Sequence, residues 1–196
     1  MLKSKEMKKL IFSAIISIIG FSTIQSQGIS FGAIGGLFYG SADISGVDIS
    51  SFSNDLDVLD GAGFYAGLLA DVEVIGDLHV QPELLYANIG GESSVFVPVM
   101  VKYYVAESFN LQVGPQLDFV LDVPSLVKDY INTFGLSMAI GVGLDLTEKI
   151  SLQAKYSLGL NDRIDDKLTE LLNDFGADFT PSLKTNILQA GVVYKF

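Results

Sequence analysis

An acidic segment in the first third of the chain is the first candidate for chemistry. Asp55-Leu56-Asp57-Val58-Leu59-Asp60-Gly61 places carboxylates at short spacing beside a glycine, and Asp43 and Asp48 precede it. Carboxylate oxygens are ligands that Ca²⁺ prefers, but the closing glutamate of an EF-hand loop is missing. Two interpretations follow: a specific calcium site, or a solvated acidic loop. Calorimetry that showed no heat on calcium titration would exclude the specific site.

Side chains for catalysis are scarce. The chain has one histidine, His79, and no cysteine. The lack of cysteine excludes a disulfide scaffold, a cysteine metal site and a lipid-modified N-terminal cysteine. No glycine-rich phosphate loop leads from a strand into a helix, and no carboxylate pair is marked as acid and base. We therefore expect a protein that is not an enzyme, with no catalytic, cofactor-binding or metal-binding residue to assign.

Ionisable side chains recur inside apolar segments, and their spacing indicates the elements that position them. In Ile150–Leu160, apolar residues alternate with polar ones such as Gln153 and Lys155, and Phe134–Leu146 repeats the scheme with small residues. Alternation with period two predicts β-strands. Eight segments show it: Ile29–Tyr39, Phe64–Val74, Leu78–Asn88, Val95–Val105, Phe109–Leu121, Phe134–Leu146, Ile150–Leu160 and Thr185–Phe196.

The two faces of these strands and the lengths of their connections predict the fold class. One face is nearly all apolar, and the other carries charged residues such as Asp71, Glu83 and Lys102. Three connections are short (76–77, 106–108 and 147–149), whereas 40–63, 89–94, 122–133 and 161–184 are mostly longer. These features are typical of an all-β, eight-stranded, antiparallel up-and-down transmembrane β-barrel with short periplasmic turns and longer extracellular loops. His79 then lies at the periplasmic end, away from the outer leaflet where a lipid-modifying enzyme needs its base.

Overall hydropathy agrees with lipid contact through strands. The chain is 49% hydrophobic with a mean hydropathy of +0.42, yet after the first two dozen residues no run of 18 apolar residues occurs. A transmembrane helix is therefore not expected in the mature protein. A soluble barrel of the lipocalin type is the alternative. It is disfavoured because its outer face would be rich in glycine while its interior would be crowded with Tyr, Leu and Phe.

The first residues predict export. Four lysines precede the apolar run Leu10–Phe21, and a small, polar stretch follows, as in a secretory signal peptide cleaved after Ser26. Residues 1–26 are thus predicted to be the signal peptide and residues 27–196 an outer-membrane barrel. Removal of residues 1–26 leaves 8 basic and 22 acidic residues, a formal charge of −14. Such acidity argues against nucleic acid as a partner.

Several motifs carry a family resemblance. They are Gln81–Tyr86, Val97–Tyr104, Leu111–Gln116, Leu152–Leu160 and Gly191–Phe196. In this order they resemble the PorT-like outer-membrane β-barrel domain family of Bacteroidetes. The resemblance implies a fold and a location but no shared catalytic residues. The PorT protein itself is tied to protein secretion and gliding, and nothing in this sequence singles out that role.

Pro82, Pro98 and Pro115 conflict with the strand assignment, because proline cannot donate to a β-ladder. We interpret them as bulge or strand-end positions, and the resembled family carries prolines at these places. The terminal Phe196 resembles the aromatic end that outer-membrane barrels present to their assembly machinery.

Eight strands enclose a lumen that side chains can fill, so an open pore is not expected. The inward charges then need partners. We expect Glu83 to lie near Lys102, and Lys155 and Lys195 to meet Asp71, Glu73, Asp118 or Asp145. A structural salt-bridge network and a proton or ion path are the two interpretations.

The sequences of the outer loops do not identify one partner. Apolar spacing predicts short helices in Asp162–Phe175 and Ser125–Ile131, which would cap the barrel, rest on the membrane or dock a protein. The expected partners are outer-membrane lipid and lipopolysaccharide, loosely bridged by cations, the assembly machinery through Phe196, and a protein at the loops. The function predicted is a non-enzymatic structural or interaction component of the cell envelope. The alternatives are a module that binds a small ligand or cation through the loops, and a component of a secretion apparatus.

Overall fold

Eight antiparallel strands pair in chain order, and the last pairs with the first. The computed structural model describes residues 28–45, 61–122, 132–164 and 182–196. Its strands are β1 (Ile29–Ser45), β2 (Gly61–Ile75), β3 (Leu78–Ile89), β4 (Glu92–Ala106), β5 (Phe109–Val120), β6 (Phe134–Asp145), β7 (Ile150–Gly159) and β8 (Ser182–Lys195). Closure leaves no unpaired edge along the barrel wall. The predicted fold class is confirmed.

The two ends of the barrel differ in their connections. We call the end with the β2–β3, β4–β5 and β6–β7 turns the turn end, and the opposite end the loop end. At the loop end the β3–β4 connection is only Gly90-Gly91, with Ile89 paired to Glu92, so the predicted loop 89–94 is wrong. Both glycines have positive φ, 58° and 97°, as in the tight hairpin turn that favours Gly-Gly.

Side chains alternate between the lumen and the outer surface on every strand. On β7, Leu152, Tyr156 and Leu158 are exposed, whereas Gln153 and Lys155 are buried. The apolar residues thus form the outer surface and the polar residues line the lumen, as predicted for a membrane barrel and opposite to a lipocalin. No helix among the described residues is long and apolar enough to cross a membrane.

The three strand prolines lie in mid-strand, so the interpretation as bulges or strand ends is wrong. Each keeps a ladder partner on one neighbouring strand: Pro82 with Val99, Pro98 with Gln116, and Pro115 with Met138. On the other side of each, the ladder skips the proline and resumes in the same register. Flanking pairs therefore fix the register although a donor is missing. The register shifts lie at the turn end instead, between Glu73 and Ile75 and between Tyr104 and Ala106.

Side chains fill the described part of the lumen, with glycine opposite the larger ones. The Tyr65 hydroxyl lies where a Cβ on Gly191 would be, and the Phe38 ring lies against the corresponding place at Gly63. Such pairing of large and small residues leaves a packed interior. The apolar part of this packing comprises Ile34, Phe38, Tyr65, Leu69, Leu85, Ala87, Phe96, Ile187 and Val193.

Candidate functional site

The candidate site is the polar lining of the lumen, because the described charges of the barrel interior meet there in ion pairs. Strand alternation directs them inward from seven strands, β2 to β8, and one more comes from a connection. They form a turn-end cluster (Asp71, His79, Lys102, Asp145 and Lys195), a mid-lumen pair (Glu83 and Lys155) and a loop-end pair (Asp118 and Arg163). Without His79, the acids and bases balance four to four, so this lining carries no formal net charge.

Asp71 on β2 is the centre of the turn-end cluster. Its Oδ2 lies 2.7 Å from the Lys102 Nζ and 3.5 Å from the Lys195 Nζ, and its Oδ1 lies 2.8 Å from the His79 Nδ1. The carboxylate is 2% exposed, so these cations and donors replace water as its partners. His79 is therefore a partner of a buried carboxylate. Its place at the turn end agrees with its predicted position in the strand.

A second carboxylate, Asp145, joins this cluster from β6. Its Oδ2 accepts a hydrogen bond of 2.8 Å from the Tyr104 hydroxyl and lies 3.9 Å from the Lys195 Nζ. The expected pairing of Lys195 with Asp71 and Asp145 is confirmed. Glu73, also proposed as an inward partner, is exposed at the rim next to the register shift of β2.

The mid-lumen pair joins strands on opposite sides of the barrel. Lys155 Nζ on β7 lies 2.5 Å from Glu83 Oε2 on β3, and both side chains are 0% exposed. Gln81 donates to Glu83 Oε1 at 2.7 Å and accepts from Lys102 at 3.0 Å. A chain of hydrogen bonds thus connects the mid-lumen pair to the turn-end cluster.

Two predicted ion pairs are corrected by this geometry. Glu83 does not pair with Lys102, because the β3–β4 register places Lys102 opposite His79, closer to the turn end. Lys155 contacts none of the four acids proposed for it and pairs with Glu83 instead. The observed ion pairs of Lys102 and Lys155 form between side chains that reach across the lumen, and not between neighbours on one hairpin.

The loop-end pair was missed. Asp118 on β5 pairs with Arg163, which lies in the connection after β7 and turns into the barrel mouth. A Cβ on Gly135 would collide with the Arg163 guanidinium and the Asp118 carboxylate, so glycine leaves room for the pair. One signal was available: Arg163 is the only arginine of the chain. The predicted helix begins here, but residues 162–164 are not helical, and 165–175 and 125–131 lie outside the described residues.

Backbone hydrogen bonds fix the segment 160–164, which we call the mouth segment. Asn132 N donates to Arg163 O at 2.7 Å, and Arg163 N donates to Leu183 O at 2.9 Å. Asp162 Oδ1 accepts from the backbone N–H groups of Ile164 and Leu183, both at 2.9 Å. The segment is thus tied to the start of β8 and to the residues before β6.

Acid is expected to loosen the mouth segment. Burial alone raises the pKa of Asp162, but the Leu183 and Ile164 N–H donors favour the charged form and bring the pKa below its usual value. Because the folded pKa is the lower one, the stabilisation is present above about pH 4 and is lost as the pH falls through the folded pKa. Hydrogen exchange at Ile164 and Leu183, corrected for intrinsic rates, should be faster at pH 3 than at pH 7. The D162N variant should lose this difference, and an equal pH response in D162N would contradict the assignment.

The chemistry of the lining is pairing and hydrogen bonding. Among the residues that the structure describes, no three His, Cys, Asp or Glu side chains lie close enough together to ligate a metal. The acids proposed for calcium, Asp48, Asp55, Asp57 and Asp60, lie outside the described residues, as does the side chain of Asp43. The salt-bridge network and the proton or ion path therefore remain the two interpretations of the lumen.

The barrel is similar to known outer-membrane proteins, both by a family model and in structure. A family model described as outer membrane protein beta-barrel domain matches residues 25–165. Neisserial surface protein A is similar in structure, with a TM-score of 0.50 and 17% sequence identity over 87% of this chain and 100% of that one. Ail, the attachment invasion locus protein of Yersinia pestis, gives a TM-score of 0.50 and 13% identity over 87% of this chain and 99% of that one. No curated protein matches the chain significantly in sequence.

Proposed function

The chain belongs to the outer membrane protein β-barrel domain family, and we propose that it is a non-enzymatic scaffold that presents its loop-end connections at the cell surface. Its location is the outer membrane. The observation that carries the proposal is the ion-paired lumen. Its four acids and four bases pair with one another in the turn-end cluster, the mid-lumen pair and the loop-end pair. A lumen filled in this way favours a structural role over a diffusion pore.

The proposal includes an orientation and an export route. The turn end faces the periplasm and the loop end faces outward, as the three short turns at one end and the three long connections at the other favour. Residues 1–26 act as the signal peptide, and Phe196, exposed at the turn end, is the residue that the assembly machinery binds. The loop end lies against lipopolysaccharide. The proposal also assigns the chain to the PorT-like branch of the family.

Osmotic swelling of vesicles tests the filled lumen. Vesicles that contain the purified barrel should not swell faster in isosmotic solutions of small sugars or amino acids than empty vesicles do. A small general porin in matched vesicles is the positive control. Swelling that depended on the amount of barrel would overturn the scaffold role in favour of a pore.

Site-specific photocrosslinking in cells tests the surface role. A photoreactive residue at Phe134, at the loop end, should give crosslinked products that are missing when it replaces Ile150, at the turn end, where only products with the assembly machinery are expected. Both positions face outward on neighbouring strands, so the pair differs in membrane side alone. Products only at the turn end would contradict the orientation and the role.

A role in a secretion apparatus and a role in binding a small ligand remain alternatives. The first is favoured only by the family resemblance. The second is favoured by an observation at the barrel mouth, where a buried carboxylate contacts a cation supplied by a connection.

A further inference from the structure

We propose that the mouth of the barrel contains a guanidinium-binding site, built around Asp118 and Gly135, whose ligand in this structure is the chain's own Arg163. When the mouth segment withdraws, the site takes a guanidinium group from another molecule. This inference does not depend on the scaffold role, since the site would exist in a barrel of any function.

The carboxylate is the first part of the site. Asp118 is 2% exposed, and its Oδ2 pairs with Arg163. Its Oδ1 has no hydrogen-bond partner. A buried, ionised carboxylate with one oxygen unused is costly unless a cation is at hand. A guanidinium can donate to both oxygens of a carboxylate. Asp118 therefore has acceptor capacity that Arg163 does not use.

The shape of the site is the second part. Gly135 lies opposite Asp118 in the β5–β6 ladder, and a Cβ there would overlap both partners of the pair. Any other residue would therefore fill the space of the cation. Asn132 supplies a backbone carbonyl that faces the Arg163 Nη1 at 3.5 Å. A carboxylate, a carbonyl and a flat space beside them fit a planar cation with several donors better than a compact ammonium.

The origin of the present ligand is the third part. The other described lumen cations, Lys102, Lys155 and Lys195, come from strands of the barrel wall. Arg163 comes from a connection, and its backbone is fixed to neighbouring connection and strand ends by the hydrogen bonds of Asn132 and Leu183. A ligand on a connection can leave when these backbone hydrogen bonds break, without separating the paired strands of the wall.

The test uses the full-length barrel in nanodiscs and a small probe. The R163A variant should bind ethylguanidinium with a Kd on the order of 1 mM, measured from the amide chemical shifts of Gly135 and Ser137. Ethylurea, which has a similar shape and no charge, is the control ligand and should bind at least ten times more weakly. The double variant R163A/D118N should also lose binding at least tenfold. In the unmodified protein Arg163 competes, so saturation should need at least ten times more ethylguanidinium.

Each contrary outcome overturns the proposal. Equal binding of ethylguanidinium and ethylurea would show that charge is not recognised, and equal binding by the double variant would remove Asp118 from the site. Equal affinity of R163A and the unmodified protein would show that Arg163 does not occupy the site. If R163A does not fold alone, its refolding yield is measured with each ligand by gel mobility. A yield raised by ethylguanidinium and unchanged by ethylurea supports the proposal, and equal yields overturn it.

Discussion

Replacing Lys155 by methionine is expected to lower the free energy of unfolding by about 3–5 kcal/mol. Lys155 and Glu83 are both fully buried at 2.5 Å, so the substitution leaves a carboxylate without its cation in the middle of the barrel. The remaining donors to that carboxylate, Gln81 and Gln153, are neutral amides and replace only part of the lost interaction. Urea titration in phospholipid vesicles, followed by circular dichroism, measures the change.

Two matched variants separate the charge from the volume. The double variant K155M/E83L removes both charges and should recover most of the loss, because replacing a whole buried pair by apolar residues is often neutral. The variant K149M changes an exposed turn lysine that lies over the Tyr194 ring at 5.9 Å, and should cost less than about 1 kcal/mol. A double variant as unstable as K155M would mean that packing, rather than the unpaired carboxylate, determines the effect.

The strand pattern could be predicted because the membrane imposes it. Between lipid and a polar lumen, every second residue must be apolar, and Ile150–Gly159 shows this alternation without exception. The prediction fell short where the strands leave that environment. β1 continues to Ser45 and β8 begins at Ser182, beyond the predicted limits 39 and 185. Positions 41, 43 and 45 share the parity of Leu37 and Tyr39 but carry Ser, Asp and Ser, so the apolar face of β1 ends before its ladder does.

Partners within the lumen could not be predicted by reasoning about neighbouring strands. Glu83 and Lys155 lie on strands β3 and β7, and their contact depends on the width of the closed barrel and the stagger of its strands. Neither quantity can be read from one sequence. The loop-end pair was accessible in principle. The sequence presents Asp118 as one of several acids for Lys155 and Lys195, whereas Arg163 lies in a segment whose apolar spacing predicts a helix.

Two glycines of β6 have a role that the sequence pattern does not show. Gly135 and Gly143 belong to the inward face of β6, where they appear in the sequence as weak, featureless positions. In the structure, a Cβ at Gly143 would overlap the amides of Asn110 and Gln112, and one at Gly135 would overlap the loop-end pair. At these two positions, glycine leaves room for large side chains from elsewhere in the barrel. The sequence alone does not say which ones.

Replacing Ile140 by arginine is expected to destabilise the barrel by about 2–4 kcal/mol in vesicles. Ile140 is the middle of β6, is 53% exposed, and has the apolar neighbours Val113 and Tyr156 in its two ladders. No described charge lies beside it on the outer face, so the guanidinium must reach the headgroups across half of the hydrocarbon layer or draw water into it.

Phe134 is the matched control for this substitution. It faces outward on the same strand, at the loop end, and is 42% exposed, so exposure hardly distinguishes the two positions. In water both arginines would cost little, whereas in a bilayer F134R should cost about 0–1 kcal/mol and I140R several times more. Equal costs would mean that depth does not matter and that no hydrocarbon surrounds position 140. The comparison of I140R with F134R tests the lipid-facing side of the barrel wall, and the comparison of K155M with K155M/E83L tests its lumen side. Both expectations follow from which side chains water can reach.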